Sequence, residues 1–420
     1  MKKFFRVIHL YLSLAAGIVI AIVCFTGAVL VFEKELQEAF NKSRYYVNPT
    51  GERLNLEQMV QKVKLAVPEA KIGGVKVYPE PARSVEIGLF MPEKDGEKGG
   101  KEEKTRQNSE AKEVGKPENK EGGNAKDGAA KKGGGGGGGR TTHTAFVNPY
   151  SGQVLELYSY RETFFYQMFA LHRWLLGGQD NIGKLIVGVS TFIFLFIILT
   201  GIVLWWPKTR QVLTQRLKVK FDGSWKRLNH DFHIVLGFYS AIFLFIFAFT
   251  GLAWSFKWFN DGIYKITNSE MNPPAEPPAS EFVVGKPAIT LDAALLAASQ
   301  AAPGVKFYNI SAPKDSAGIF AVNVLPPGVH ESATDNYYFD QYTGQLLGSA
   351  RFADKNLGQR VRSTFKPVHT GSIFGLPSKI IAFITCLLGV TFPVTGIILW
   401  LNRLKKNRQK KHKPRIAQRA

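Results

Sequence analysis

Residues 227–254 read RLNHDFHIVLGFYSAIFLFIFAFTGLAW, and the architecture follows from them. His230 and His233 stand three apart, so they share one face of a helix. About twenty apolar residues follow, enough to cross the hydrocarbon of a bilayer. Thr250-Gly251 lies near the far end of the run. A histidine at one end of an apolar run, with a Thr-Gly pair near its end, recurs three more times. The apolar runs are 7–32, 182–206, 234–255 and 379–401. The sequence therefore predicts a four-helix transmembrane bundle.

The net charge of +21, from 54 basic and 33 acidic residues, invites a nucleic-acid reading. Its distribution argues otherwise. Much of the excess sits at Lys2, Lys3 and Arg6, at 208–227 and at 403–419. These are the segments before the first run, between the second and third, and after the fourth. The positive-inside rule puts both termini and the middle loop in the cytoplasm, and both large loops outside. Residues 1–30 are expected to form an uncleaved anchor, because their apolar run is too long for a signal peptide. Cys24 and Cys386 both fall in apolar runs, so no disulfide framework is expected.

The first large loop carries a helical pattern at 54–67 and strand patterns at 71–78 and 83–90. Residues 91–140 are rich in Lys, Glu and Gly and are expected to be a disordered insertion. The strand pattern resumes at 142–147. AFVNPYSGQVLEL at 145–157 then matches YYFDQYTGQLL at 337–347, and a second helix-then-strands passage, 291–302 and 307–324, precedes that copy. TGIVLW at 200–205 likewise matches TGIILW at 395–400. The chain reads as an internal duplication of a two-helix unit with an outside α+β domain. The expected parts are a membrane helix at 7–32, an outside domain at 33–160, and a short outer helix with the second membrane helix at 161–206. A basic loop follows at 207–229, then the third membrane helix at 230–256 and the second outside domain at 257–365. An outer turn with the fourth membrane helix occupies 366–402, and a basic tail 403–420.

The histidines sort by side. His9, His230 and His233 fall at the cytoplasmic face; His172 and His369 fall at the outer face, one from each half, ahead of Gly-containing breaks. Two neutral imidazoles from facing helices are what six-coordinate haem iron takes as axial ligands, so one pair per face implies two b-type haems. At the inner face His230 and His233 compete for one role. Arg6, Arg173 and Arg227 lie near these histidines and are candidates to hold haem propionates. A zinc site of His9, His230 and His233 is the metal alternative. No CxxCH occurs, so covalent haem is not indicated. Two other readings compete: a permease for chelated iron, against which no charged residue lies deep in a run, and a membrane-anchored binding or regulatory module without catalysis.

LHRWLLGG at 171–178, NHDFHIVLGFY at 229–239, VHTGSIFGLP at 368–377, TGIVLWWPK at 200–208 and the two NPYSGQV and DQYTGQL turns together resemble the PepSY-associated transmembrane-helix family of bacterial inner-membrane proteins. The resemblance covers nearly the whole chain except 91–140. It implies two periplasmic PepSY-like domains and ferric-siderophore reduction in the periplasm, with electrons from a donor the sequence does not name. The family pattern has Asp-Leu-His where this chain has Asp231-Phe232-His233, which favours His233 over His230. The expected haem ligands are thus His9 with His233, and His172 with His369.

Overall fold

The computed structural model describes residues 1–92, 141–178, 181–271 and 277–412. The disorder expected over 91–140 falls, beyond residue 92, outside the described residues.

Among the described residues four helices are long and apolar enough to cross a membrane: Lys2–Val31, Ile182–Trp205, Trp225–Trp254 and Leu376–Gln409. The first and third begin five residues ahead of the expected 7 and 230. A helix continues past its apolar run where basic side chains extend to water. The four make a ring: the first packs along the second and the fourth, and the third along the same two. The first and third are therefore diagonal partners. Ile18, Phe25, Ile242 and Ile384 stay exposed on the rim of the ring, as side chains facing lipid do. Inside it, Ala16, Ile20, Ile198, Ala241 and Leu244 make a shared core.

Outside the bundle the described residues form eight strands: β1 Lys71–Val77, β2 Val85–Phe90, β3 His143–Val147, β4 Val154–Tyr158, β5 Tyr308–Ser311, β6 Ile319–Val324, β7 Asp335–Asp340 and β8 Leu346–Ala350. The sequence patterns suggested two separate α+β domains. The strands instead form one antiparallel sheet in the order β4-β3-β2-β1-β5-β6-β7-β8. β1 and β5 join the two groups, with Val75 opposite Ile310 and Val77 opposite Tyr308. As separate four-stranded sheets these two would be open edges; pairing them satisfies both rows of backbone groups.

Helices Leu56–Ala66 and Leu291–Ala301 cover one face, and a single core runs beneath both, including Met59, Val63, Ile87, Ala294, Ala298, Ile310 and Phe339. The two helices cap each other. The Leu56 amide donates to Asp292 Oδ2 at 2.8 Å, and the Leu291 amide donates to the Glu57 carboxylate. The two copied sequence turns join β3 to β4 and β7 to β8. Asn148 Oδ1 accepts from the Tyr150 amide at 2.9 Å, and Asp340 Oδ1 from the Tyr342 amide at 2.9 Å. Each turn closes on a left-handed glycine, Gly152 (φ 70°) and Gly344 (φ 73°). Arg44, buried, grips Glu156 through two donors and ties the extension of the first membrane helix to β4.

Candidate functional site

Short helices Phe164–Trp174 and Leu357–His369 lead from the sheet into the second and fourth membrane helices. Each ends at a sharp break. Leu175 and Leu176 take positive φ after the first, and Gly371 after the second. The breaks leave His172 and His369 in the last turns of these helices, against the bundle. The two rings come together, with centroids 6.1 Å apart and planes at 69°.

Each of the four expected histidines is held through Nδ1 by a threonine, and three of them by a backbone carbonyl as well. His172 Nδ1 donates to Thr26 Oγ1 (3.0 Å) and the Val23 carbonyl (3.0 Å). His369 Nδ1 donates to Thr250 Oγ1 (3.1 Å) and the Phe247 carbonyl (2.9 Å). His9 Nδ1 donates to Thr200 Oγ1 (3.0 Å) and the Ile197 carbonyl (3.1 Å). His233 Nδ1 donates to Thr395 Oγ1 (2.8 Å). The glycine after each threonine makes room for the ring. A Cβ on Gly27, Gly201, Gly251 or Gly396 would lie 3.2–3.4 Å from the Cε1 of the histidine held there.

This clasp assigns the tautomer. A carbonyl only accepts, so Nδ1 of His9, His172 and His369 carries the proton. Thr395 spends its hydroxyl hydrogen on the Thr391 carbonyl (3.0 Å), so its oxygen is left to accept from His233. Nε2 of each neutral ring is then a bare lone pair, and among the described residues it has no hydrogen-bond partner. Metal-binding histidines are prepared this way, with the far nitrogen donating to a fixed acceptor.

Within each half the holding is reciprocal. The first membrane helix contributes His9 to the second and takes His172 from the helix preceding it; the third contributes His233 to the fourth and takes His369. On the first and third helices the histidine and the threonine are seventeen residues apart (26 − 9 and 250 − 233), about 25 Å along a helix axis. The clasps therefore form two levels near opposite ends of the bundle. His233 also sits in a one-turn π-helix, Phe232–Leu236, a distortion frequent at functional sites.

A family model described as PepSY-associated TM region matches residues 6–403. The chain belongs to the PepSY-associated transmembrane family. No curated protein matches the chain.

In this family member His230 stands apart from the clasps. It is exposed, and its Nδ1 faces Asp231 Oδ1 at 3.1 Å. Among the described residues no group of three or more His, Cys, Asp and Glu converges to hold a metal ion, so the His9–His230–His233 zinc alternative gains no support. Of the three arginine candidates, Arg227 is engaged by Asp231 at 2.8 Å. Arg6 is exposed, with Arg403 as its cationic neighbour. Arg173 reaches only the Trp254 carbonyl, at 3.4 Å.

In the sequence the Thr-Gly pairs stand out only as a repeat; that their hydroxyls hold the histidines is visible in the structure alone. The signal was present in their fourfold repetition, although the partner of each lies on a neighbouring helix. Arg362 was missed outright. It lies over the Trp254 ring at 5.1 Å, and that ring sits 5.3 Å from His369.

The residues fit a porphyrin iron by donor chemistry. Neutral imidazoles with Nδ1 satisfied are the axial ligands such an iron takes. A metal–imidazole bond of about 2 Å on each side, plus about 1 Å from nitrogen to ring centre, sets two ligating rings about 6 Å apart. The His172 and His369 rings, with centroids 6.1 Å apart, are near enough to share one metal.

Proposed function

We propose that this membrane protein is a two-haem b-type reductase, built from a duplicated two-helix unit, that carries electrons across the bacterial inner membrane to a ferric chelate in the periplasm. His9 and His233 hold one haem and His172 and His369 the other. The observation that carries the reading is the fourfold clasp, which leaves four Nε2 lone pairs open at two levels about 25 Å apart. The mirrored strand order and the matched clasps support the duplication.

Bound haem supplies a site that takes up and gives back one electron at a time. The chain's own part is to hold the ligands. Each threonine fixes the plane and tautomer of one imidazole, and each glycine lets that ring lie against a helix backbone. Trp254 and Phe247 wall the sheet-side pair (5.3 and 6.4 Å from His369), and Phe392 lies 5.8 Å from His233 on the basic side. The sheet stands on the side of His172 and His369, where an acceptor would be met. Reduction to Fe(II) weakens hard oxygen ligands, and this would release iron from a siderophore. The basic helix ends and loops support cytoplasmic termini and a periplasmic sheet. A permease or an anchored binding module has no use for four imidazoles with one tautomer.

Visible spectra of the purified full chain before and after dithionite test the reading. A reducible bis-imidazole spectrum is expected, halved by His172→Ala with His369→Ala and halved likewise by His9→Ala with His233→Ala. A spectrum without haem bands, or one unchanged by both pairs, ends it.

A further inference from the structure

We propose that Arg173 and Arg362 form a two-armed carboxylate clamp, one arm from each half of the chain, that takes the propionates of the porphyrin gripped by His172 and His369; this rests on the haem reading above. The two guanidinium groups share one residue, Trp254. Arg173 donates to its carbonyl, Arg362 lies over its ring, and the same ring flanks His369. Arg173 directly follows His172. Arg362 stands seven residues before His369 on one helix, two turns toward the sheet and on the same face. Both cations therefore border the ligand pair, Arg362 on its sheet side and Arg173 beside it at the Trp254 carbonyl, where the polar edge of a macrocycle would be met.

What they lack points the same way. Both are half-buried, and among the described residues neither has a carboxylate within ion-pair distance. Arg362 spends its Nε on Asn260 Oδ1 at 2.6 Å; the single hydrogen bond of Arg173 is long, at 3.4 Å. A guanidinium carries five N–H donors in a fork that matches a carboxylate, so most of the donors here are unspent. Withdrawing such charges from water is costly unless an anion meets them. Among the described residues the two buried arginines, Arg44 and Arg83, are by contrast each paired with a carboxylate, Glu156 and Glu38.

The test uses full-length protein made without haem, in detergent, carrying His9→Ala and His233→Ala so that only the sheet-side pair is read. It is titrated with ferric protoporphyrin IX and with its dimethyl ester. With both arginines present, esterification is expected to weaken binding tenfold or more. In R173Q/R362Q it should change binding less than twofold. R173K/R362K, which keeps the charge, should retain part of the discrimination and shows that the fold tolerates change at these positions. An equal loss on esterification with and without the arginines overturns the clamp and leaves the haem reading standing. If R173Q/R362Q leaves both porphyrin affinities unchanged but weakens binding of ferric citrate, the arginines serve an anionic substrate and the proposal falls. If the free acid gives no bis-imidazole spectrum at all, the clamp and the haem reading fall together.

Discussion

Thr26, Thr200, Thr250 and Thr395 each turn a polar side chain in a membrane helix to one task. Each hydroxyl donates to the carbonyl four residues back, at 2.8–3.0 Å, and so its oxygen is left to accept from a histidine. Valine has nearly the same shape without that acceptor. Thr26→Val or Thr250→Val is expected to weaken ferric protoporphyrin binding at the sheet-side level by about 10–100-fold, as loss of a partner behind a metal-binding histidine does elsewhere. Thr200→Val or Thr395→Val should act on the other level alone. Titration of haem-free protein, with the opposite level removed by histidine substitution, measures this. Equal losses at both levels would mean that the threonines stabilise the bundle in general. Gly251→Ala is the steric counterpart. Its new Cβ would sit 3.2 Å from His369 Cε1, so the ring must shift by a few tenths of an ångström, and a smaller loss confined to the sheet-side level is expected. The histidines and the Thr-Gly pairs were both legible in the sequence. Their pairing was not, because His9 meets Thr200 across 191 positions and His233 meets Thr395 across 162.

Most single elements could be read from pattern alone. The helix expected at 54–67 is Leu56–Ala66, and the strands expected at 71–78 and 83–90 are β1 and β2. What pattern cannot give is which strand lies beside an edge, since alternation of apolar residues specifies the buried face and not the neighbour. The β1–β5 pairing was therefore invisible, and with it the reciprocal capping of the two covering helices. That capping has a pH signature. Burial raises the Glu57 carboxyl above its usual range, and the neighbouring Asp292 carboxyl raises it further. A group raised on folding adds most stability below its unfolded value of about 4.3, and that contribution is lost as pH rises through the folded value. Glu57→Gln keeps an oxygen for the Leu291 amide but does not titrate. The thermal midpoint of the variant, relative to the unaltered chain, is expected to rise between pH 4 and pH 7. A difference that stays flat or falls across that window would contradict the assignment.

At the scale of the molecule, one ring of four helices carries two levels of threonine-held histidines and one sheet spans the strands of both large loops, so the two parts of the chain are joined twice. The joins leave the first loop free to vary. β2 and β3 pair directly, Val85 with Val147 through Leu89 with His143. The pairing continues to the point where the chain departs and returns: the Thr142 amide donates to the Leu89 carbonyl at 2.8 Å, and the Met91 amide donates to Thr142 Oγ1 at 3.0 Å. Met91 and Thr142 are thus already as close as the ends of a tight hairpin. Replacing residues 93–140 with a turn of two to four residues such as Asn-Gly should leave the register of β2 and β3 intact. Loop closure changes by only about 0.6 kcal/mol per doubling of length, so shortening this connection should hold or modestly raise the thermal midpoint. It should also leave haem content per chain unchanged, because the clasps draw no residue from the deleted stretch. A clear fall in the midpoint would show that the stretch packs on the sheet. Loss of the sheet-side haem signal alone, with the midpoint kept, would show that the stretch reaches His172 and His369, and the proposed cofactor sites could then no longer be assigned to the bundle alone.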